Sequence, residues 1–359
     1  MPAPDRDPVR IRVLRTLYPH WGRFTGVHQF LRYLPAGKYR VDLRVVNDGD
    51  ADFPIRSAIV REGVRRVLRR NGMAWYKLSD LAAEARAAFA ATRGSFDLLH
   101  YLDGEHTARY LPRARRLLGR GRPRIVATFH QPPDLLATLV RRDVVAQLDA
   151  VTLVSITQRR FFDGLLPSDR VAVIPHGIDT DFFCPAGAPV DDGSFRLITV
   201  GHHLRDYAAV GAVAKRLRDD PTIRFDVVSG PTTGLEGFSN VEHHRGVSDE
   251  QLVRLYQQAH LLLLPLLETT ANNALLEGIA CGLPVVSTAL PSVAMYVPGD
   301  EAILIDRNDP DALTEAVLRL RRDPEQRARR AQRARLRAES LAWPRIAPRF
   351  DQLYGELLA

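Results

Sequence analysis

Leu263-Leu-Pro-Leu-Leu-Glu-Thr-Thr-Ala-Asn-Asn-Ala-Leu-Leu-Glu-Gly-Ile-Ala-Cys-Gly-Leu-Pro-Val-Val-Ser287 contains the elements of an α/β unit in one stretch. It divides into the end of an apolar strand, a polar loop, a helix, a cap and a second apolar strand. Asn272 or Asn273 caps the helix, and Gly282 followed by Pro284 closes it, since glycine accepts the left-handed turn and proline cannot continue a helix. Leu261 to Leu264 is apolar at every position, as a parallel strand covered by helices on both faces must be. Asn273 and Glu277 stand i, i+4 on one helix face, which leaves Leu275, Leu276 and Ile279 for the core. Free amides and the positive dipole end at Asn272 to Ala274 suit a diphosphate, with Glu277 one turn deeper to accept from ribose hydroxyls. An ordinary capped helix with a surface glutamate fits the same residues.

The pattern repeats outward in both directions, with short apolar runs alternating with longer amphipathic segments, as in a parallel sheet built from strand, helix, strand units. Ile11 to Tyr18, Val41 to Val46, Asp97 to Leu102, Arg124 to Phe129, Val151 to Ser155 and Val171 to Pro175 read as strands of one α/β domain. After a loop rich in Pro, Gly and Asp (Cys184 to Ser194), Phe195 to Gly201, Arg224 to Ser229, Val241 to Gly246, Leu261 to Pro265, Pro284 to Thr288 and Ala302 to Ile305 read as strands of a second. Ligands of such sheets lie beyond the carboxyl ends of strands, so the informative residues follow strand ends.

Composition narrows the classes. A chain of 359 residues that is 45% hydrophobic and 26% charged is long enough for two cores and too apolar to be disordered. Its longest apolar runs fall far short of the roughly 18 residues of a spanning helix, and Met1 to Arg10 has no signal-peptide core, so the reading is cytoplasmic. Cys184 and Cys281 have no CxxC partner and no zinc-type His spacing, so neither a metal nor a disulfide framework is implied. The net charge of +8 comes almost wholly from arginine, as a GC-rich genome would supply. Its clusters, Arg61 to Arg70, Arg113 to Arg124 and Arg319 to Arg337, read mostly as solvated helix faces and carry no nucleic-acid signature.

The stretch Glu268 to Ser287, together with Val173-Ile-Pro-His-Gly-Ile-Asp-Thr-Asp-Phe-Phe183, resembles the retaining glycosyltransferases of family 4. Gly246-Val-Ser-Asp-Glu-Gln-Leu252 resembles the family's segment before its last donor-site strand, and Trp21 to Leu34 its N-terminal loop and helix. The resemblance runs through nearly the whole chain. It implies the GT-B fold: two Rossmann-like parallel-sheet domains facing across a cleft, the first (1–186) for the acceptor and the second (187–340) for the nucleotide, with a C-terminal helix (341–359) returning to the first. The implied activity is transfer of a sugar from a nucleotide-diphosphate sugar to a hydroxyl acceptor, with retained configuration, no metal and no cofactor. A non-catalytic nucleotide-sugar-binding protein and a sugar-nucleotide epimerase of related fold are the alternatives.

The resemblance also implies site residues. Asn272, Asn273 and Glu277 carry over cleanly to the donor site, joined by Val247 and Thr270. The first of the family's paired glutamates would fall at position 269, where this chain has Thr269, with Glu268 one place earlier. The phosphate clamp, an Arg after a glycine followed by a Lys, is replaced by Gly201-His-His-Leu-Arg-Asp206; His202 occupies the place of the Arg, and Arg205 is the substitute cation, able to hold phosphate oxygens in a bidentate way. Gly26 matches a glycine that lets the backbone approach the donor phosphates. His130, in Thr128-Phe-His-Gln-Pro132, matches a histidine that contacts the transferred sugar. His130, Arg205 and Glu268 are thus the expected catalytic residues. Independently of the family, Asp103-Gly-Glu-His106 follows a strand, which makes Glu105 and His106 candidate acceptor contacts, whereas His176, Gly177 and Asp179 are expected only to fix a turn.

One further segment bears on partners. Val60-Arg-Glu-Gly-Val-Arg-Arg-Val-Leu-Arg-Arg70 places Val60, Val64, Val67 and Leu68 near helical spacing with arginines between them, an apolar stripe bordered by charge. Two readings follow: peripheral contact with the inner face of an anionic membrane, or a stripe packed on the sheet with solvated arginines.

Overall fold

The structure, a computed structural model, describes residues 7–18, 22–70, 73–114, 122–187 and 193–359, without the side chain of Arg70. Trp21, five residues of the loop expected at Cys184 to Ser194, and most of the basic run Arg113 to Arg124 lie outside the described residues. The chain forms two compact units. One comprises Met1–Trp21, Val27–Pro175 and Ile346–Ala359, the other Gly22–Gly26 and His176–Arg345. The chain enters the second unit at His176, ahead of the boundary expected after residue 186, because the Ile174 amide still pairs with Leu153 of the first sheet.

In the first unit β1 (Val9–Leu17), β2 (Tyr39–Asn47), β3 (Leu98–Tyr101), β4 (Arg124–Phe129), β5 (Ala150–Leu153) and β6 (Val171–Val173) form one sheet in the order β2-β1-β3-β4-β5-β6. Every pair is parallel. The strand order reverses between β1 and β3. Phe96, Leu99, Ile125, Val151 and Phe162 belong to its core. The closing helix Trp343–Leu358 contributes Phe350, stacked on Phe30 with centroids 3.9 Å apart, and Tyr354, whose hydroxyl meets His100 Nδ1 at 2.6 Å. Val27–Tyr33, within the segment where a helix was expected, is a 3-10 helix.

A buried carboxylate ties this unit together. Glu84, on the helix Leu78–Thr92, is 2% exposed and accepts from the Tyr76 hydroxyl at 2.8 Å and the Tyr101 hydroxyl at 2.9 Å. It also takes the amides of Arg109, Tyr110 and Leu111 at 3.0, 2.8 and 3.1 Å, those at the start of the short helix Leu111–Ala114. A side chain thus does for that helix what a cap ordinarily does.

The second unit has β7 (Phe195–Val200), β8 (Ile223–Val228), β9 (Val241–His244), β10 (Leu261–Leu264), β11 (Val285–Thr288) and β12 (Ala302–Ile305) in the order β12-β11-β10-β7-β8-β9, again all parallel. All four leucines of β10 have no exposed surface, as their position between β7 and β11 requires. The chain builds outward from β7 to β9, then returns to place β10 on the other side of β7. That reversal leaves a crevice beyond the carboxyl ends of β7 and β10.

Its helices begin where the sequence supplies acceptors. Asn272 caps Asn273–Ala280, Ser248 forms a capping box with Gln251 on Asp249–Gln258, and Asp206, Asp309 and Asp323 cap the helices that follow them. The Arg319 to Arg337 cluster is less solvated than its composition suggests. Arg330 and Arg337 donate to main-chain carbonyls of Asp300, Ala302, Met295 and Tyr296, and Arg335 to three more. Gly177 lies under the Trp343 indole, where a Cβ would come within 2.5 Å of the ring, and Asp179 caps the amides of Asp181 and Phe182.

Replacing Glu84 with alanine strands several buried donors at once, and each unsatisfied group costs about 1–3 kcal/mol. The expected result is a destabilisation of at least about 3 kcal/mol in the urea unfolding of the full chain; a change below about 1 kcal/mol would show that those donors find other partners.

Candidate functional site

At the reversal of the second sheet, the loops after β7 and β10 are sewn together by backbone bonds. The Asp206 amide donates to Pro265 O at 3.0 Å and the Leu267 amide to Leu204 O at 3.0 Å. Gly201, at φ +91°, turns the chain out of β7, and Leu204 sits in the left-handed region at φ +58°. Arg205 is folded back over that turn. Its Nε donates to Val200 O at 3.0 Å, Nη1 to His203 O at 2.9 Å, and Nη2 to Asn272 Oδ1 at 3.1 Å. A Cβ on Gly201 would come within 2.8 Å of Nη2, so the missing side chain makes room for the guanidinium.

Asn272 is 3% exposed and its Oδ1 also accepts the Leu275 amide at 3.2 Å. Both neighbours are donors, so the oxygen faces them and the amide nitrogen is turned the other way. Nδ2 is buried and has no hydrogen-bond partner among the described residues. The first helical amides, of Asn273 and Ala274, have no carbonyl within the helix to pair with. A buried NH2, two helix-start amides, the helix dipole and a fixed guanidinium thus gather around one helix start, a donor set suited to an anion.

Glu277, one turn along, is 4% exposed, which excludes the surface-glutamate reading. Oε2 accepts the Tyr256 hydroxyl at 2.9 Å and Oε1 the Thr25 hydroxyl at 3.4 Å. Burial pushes its carboxyl up to about 7; the Tyr256 and Thr25 hydrogen bonds and nearby Arg205 oppose that rise, and Asp249 adds to it. Gly26, beside Thr25, is buried and stands at φ +107°. Burial lowers the Arg205 guanidinium from its ordinary value, while Tyr207, Tyr256 and Glu277 favour its charge.

The remaining donor-side candidates are more peripheral. His202 is exposed and its ring lies along Tyr207, centroids 6.0 Å apart. Glu268 is half-buried and accepts the amide of Thr269 at 2.9 Å; Thr269 and Thr270 are buried on the same loop. Val247 is half-buried between Gly246, at φ +62°, and the cap Ser248. Sequence reasoning missed Tyr256 and Thr25. Tyr256 is one turn beyond Val253 on an amphipathic helix, a pattern that marks it as inward-facing with a hydroxyl to satisfy.

In the first unit a second group gathers at the β1/β3 reversal. Asp103 is 4% exposed and accepts the Thr16 amide at 2.8 Å. Glu105, 1% exposed, accepts the His130 amide through Oε1 at 3.1 Å, while Oε2 is buried with no partner. Burial raises the Glu105 carboxyl to about 7. His130 Nε2 donates to Leu102 O at 2.7 Å. His106 packs on Trp75 and Tyr18, with centroids 4.8 and 5.4 Å away, and burial lowers it to about 4, so it is neutral at pH 7. Asp80, accepting from Thr107 and the Lys77 amide, is likewise raised to about 7 by burial.

Among the described residues, Asp226, Glu242 and His244 are the one group whose ligand-type atoms come close enough for a metal. Asp226 there accepts from His244 at 2.8 Å and faces Arg196 at 3.6 Å, so a guanidinium already supplies the positive charge.

Comparison with known proteins gives this arrangement a family. Residues 22–182 match the model of "Glycosyltransferase Family 4" and residues 196–323 that of "Glycosyl transferases group 1". The chain belongs to these glycosyltransferases, and its two Rossmann-like units are the GT-B fold. A D-inositol 3-phosphate glycosyltransferase from Corynebacterium efficiens is 27% identical over 217 residues, which are 52% of this chain and 51% of that one. The chain thus spans about half the length of that relative. In structure it is similar to a sucrose-phosphate synthase from Thermosynechococcus elongatus, with a TM-score of 0.73 at 17% identity over 97% of this chain and 99% of that one. It is also similar to Anabaena HepE in complex with UDP and glucose, with a TM-score of 0.67 at 14% identity over 97% and 99%.

The raised Glu277 carboxyl has a measurable sign. The folded chain holds that proton up to about pH 7 whereas the unfolded chain releases it near its ordinary value, so this group's stabilisation is lost as pH rises between the two. Glu277→Gln removes the effect. From pH 5 to pH 8 the stability difference should move in the variant's favour by on the order of 2 kcal/mol, read from denaturation at both pH values; a difference independent of pH would mean the carboxylate is not strained by burial.

Proposed function

We propose that the second unit binds the nucleoside diphosphate of a nucleotide sugar and that the chain transfers the sugar, with retained configuration, to a hydroxyl acceptor held by the first. The observation that carries this is the buried, unpartnered Nδ2 of Asn272 beside Arg205 and a helix start. A buried donor without a partner is costly, and a diphosphate oxygen satisfies it. In this reading the diphosphate takes Asn272 Nδ2, the amides of Asn273 and Ala274, Arg205 and backbone near Gly26. Glu277 takes the ribose hydroxyls, and Val247, Thr270 and His202 line the rest. UDP in the HepE structure makes uracil the first base to test.

In the proposed transfer the bond from the sugar carbon to phosphate breaks, the acceptor oxygen bonds to that carbon on the same face, and the acceptor proton passes to the departing phosphate oxygen. Negative charge grows on the diphosphate, where Arg205 and the helix start stabilise it without a metal. His130 and Glu268 are assigned to the sugar, and Glu105 and His106 to the acceptor. Glu105 Oε2, buried without a donor, would accept from an acceptor hydroxyl.

We also assign the helix Ala58–Arg70 to an anionic membrane surface. Leu68 is buried and Val64 packs against the first unit, yet Ile59 is 86% exposed, Val67 56% and Val60 41%. Arg61 and Arg65 are tied to Asp50, whereas Arg56, Arg66 and Arg69 carry no ion pair among the described residues. The packed-stripe reading thus accounts for Val64 and Leu68 only. No helix among the described residues is long and apolar enough to cross a membrane.

With UDP as probe, Glu277→Ala should weaken binding by about 1–3 kcal/mol; unchanged affinity in a folded variant removes Glu277 from the site. Arg205→Ala should lower turnover of UDP-sugar more than affinity for UDP, since it acts on charge that develops during transfer. A loss of UDP affinity with turnover unchanged would make it a ground-state contact. For the membrane, vesicles containing anionic lipid should sediment the protein at low salt and release it at high salt, and Ile59→Glu with Val67→Glu should abolish sedimentation. Protein left in the supernatant at low salt overturns that assignment.

A further inference from the structure

The only two cysteines of the chain, far apart in sequence, lie on two stretches of the second unit that run side by side. Cys281 ends the helix Asn273–Ala280, and Cys184 follows the turn capped by Asp179. One nitrogen, Arg335 Nη1, donates to Phe183 O at 3.1 Å and to Ala280 O at 2.8 Å, the carbonyls immediately preceding the two cysteines. One residue past each cysteine, the Pro185 ring lies 3.3 Å from where a Cβ of Gly282 would be. Contacts on both sides therefore keep 183–185 in step with 280–282, which sets Cys184 opposite Cys281. The Cys184 carbonyl is held in addition by Gln257 Nε2 at 2.9 Å. Cys184 is half-buried and Cys281 is 5% exposed; both thiols are free.

We propose that Cys184 and Cys281 form a reversible intrachain disulfide, with hydrogen peroxide as oxidant. Cys184, the more accessible sulfur, attacks a peroxide oxygen; the O–O bond breaks, and sulfenic acid and one water result. The Cys281 sulfur then displaces the hydroxyl from that sulfenic acid, its proton leaving with the hydroxyl as a second water. Two thiols lose two electrons and two protons, and one peroxide becomes two waters. Burial pushes the Cys281 thiol up, and Cys184 adds to the rise, which makes Cys184 the sulfur that meets the peroxide first. The bond would anchor the end of the helix whose start carries Asn272 and whose middle carries Glu277 to the segment that follows His176. Any effect on nucleotide affinity rests on the function proposed above; formation of the bond does not.

The test uses the full chain, oxidised with hydrogen peroxide and quenched with catalase. Free thiols counted under denaturing conditions should fall from two to none, and the protein should remain a monomer on a non-reducing gel. Peptide mapping should find Cys184 linked to Cys281, and dithiothreitol should restore both thiols. The folded oxidised form should melt several degrees higher, as closure of a long loop implies. Cys184→Ser should protect the remaining thiol, leaving it titratable. Two titratable thiols after oxidation, sulfinic acid without a cross-link, or a disulfide only between chains each overturn the proposal. Should the disulfide form while UDP affinity is unchanged, the covalent site stands and only its link to the nucleotide site falls.

Discussion

A single side chain, Asn272, joins a helix start of the second unit to the loop that leaves the neighbouring strand. Its oxygen caps the helix Asn273–Ala280 through the Leu275 amide and at the same time accepts from Arg205, which comes from the loop after the neighbouring strand. Two donors on one oxygen fix its orientation and leave the buried amide nitrogen without a hydrogen-bond partner among the described residues. The strand order that reverses between β7 and β10 makes this meeting possible, because only there do the ends of two adjacent strands leave in different directions. The backbone bonds between residues 204–206 and 265–267 then hold the two loops as one surface.

Both units place buried carboxyls where a fold seeking only stability would not. Glu84 is a structural case: it is satisfied by two hydroxyls and three amides. Glu277 and Glu105 are different, each raised to about 7 and incompletely satisfied, Glu277 by one long hydrogen bond and Glu105 by a bare Oε2. Both stand just beyond the reversal points of their sheets, Glu277 on a helix and Glu105 at the start of a short one. Structural networks shift carboxyls as well, and the hydrogen-bond count at each residue separates Glu84 from the other two.

The arginine richness of the chain has a mixed physical meaning. Several arginines near the C-terminus act as carbonyl clamps, Arg335 serving three carbonyls from one nitrogen, so part of the positive charge is architecture. On the helix Ala58–Arg70 the opposite holds: Ile59 and Val67 stay exposed among arginines, an arrangement that adds nothing to the core. Composition alone does not distinguish an arginine that clamps carbonyls from one on an exposed face, because both use the same residue.

The sequence by itself determined the twelve strands and their grouping into two sheets, since parallel strands buried on both faces must be apolar throughout and their helices must be punctuated by caps. It also determined that Asn272 or Asn273 caps the helix, a choice the structure settles on Asn272, and that Asn273 and Glu277 share a face, because helical spacing is local. Tertiary structure alone decided that Glu277 is buried against Tyr256 and Thr25, that Arg205 folds back onto Asn272, and that Glu105 holds the His130 amide. It also decided that two cysteines with no local motif stand side by side. These depend on which strand ends meet in space, and strand order is set by long-range packing that periodicity does not encode.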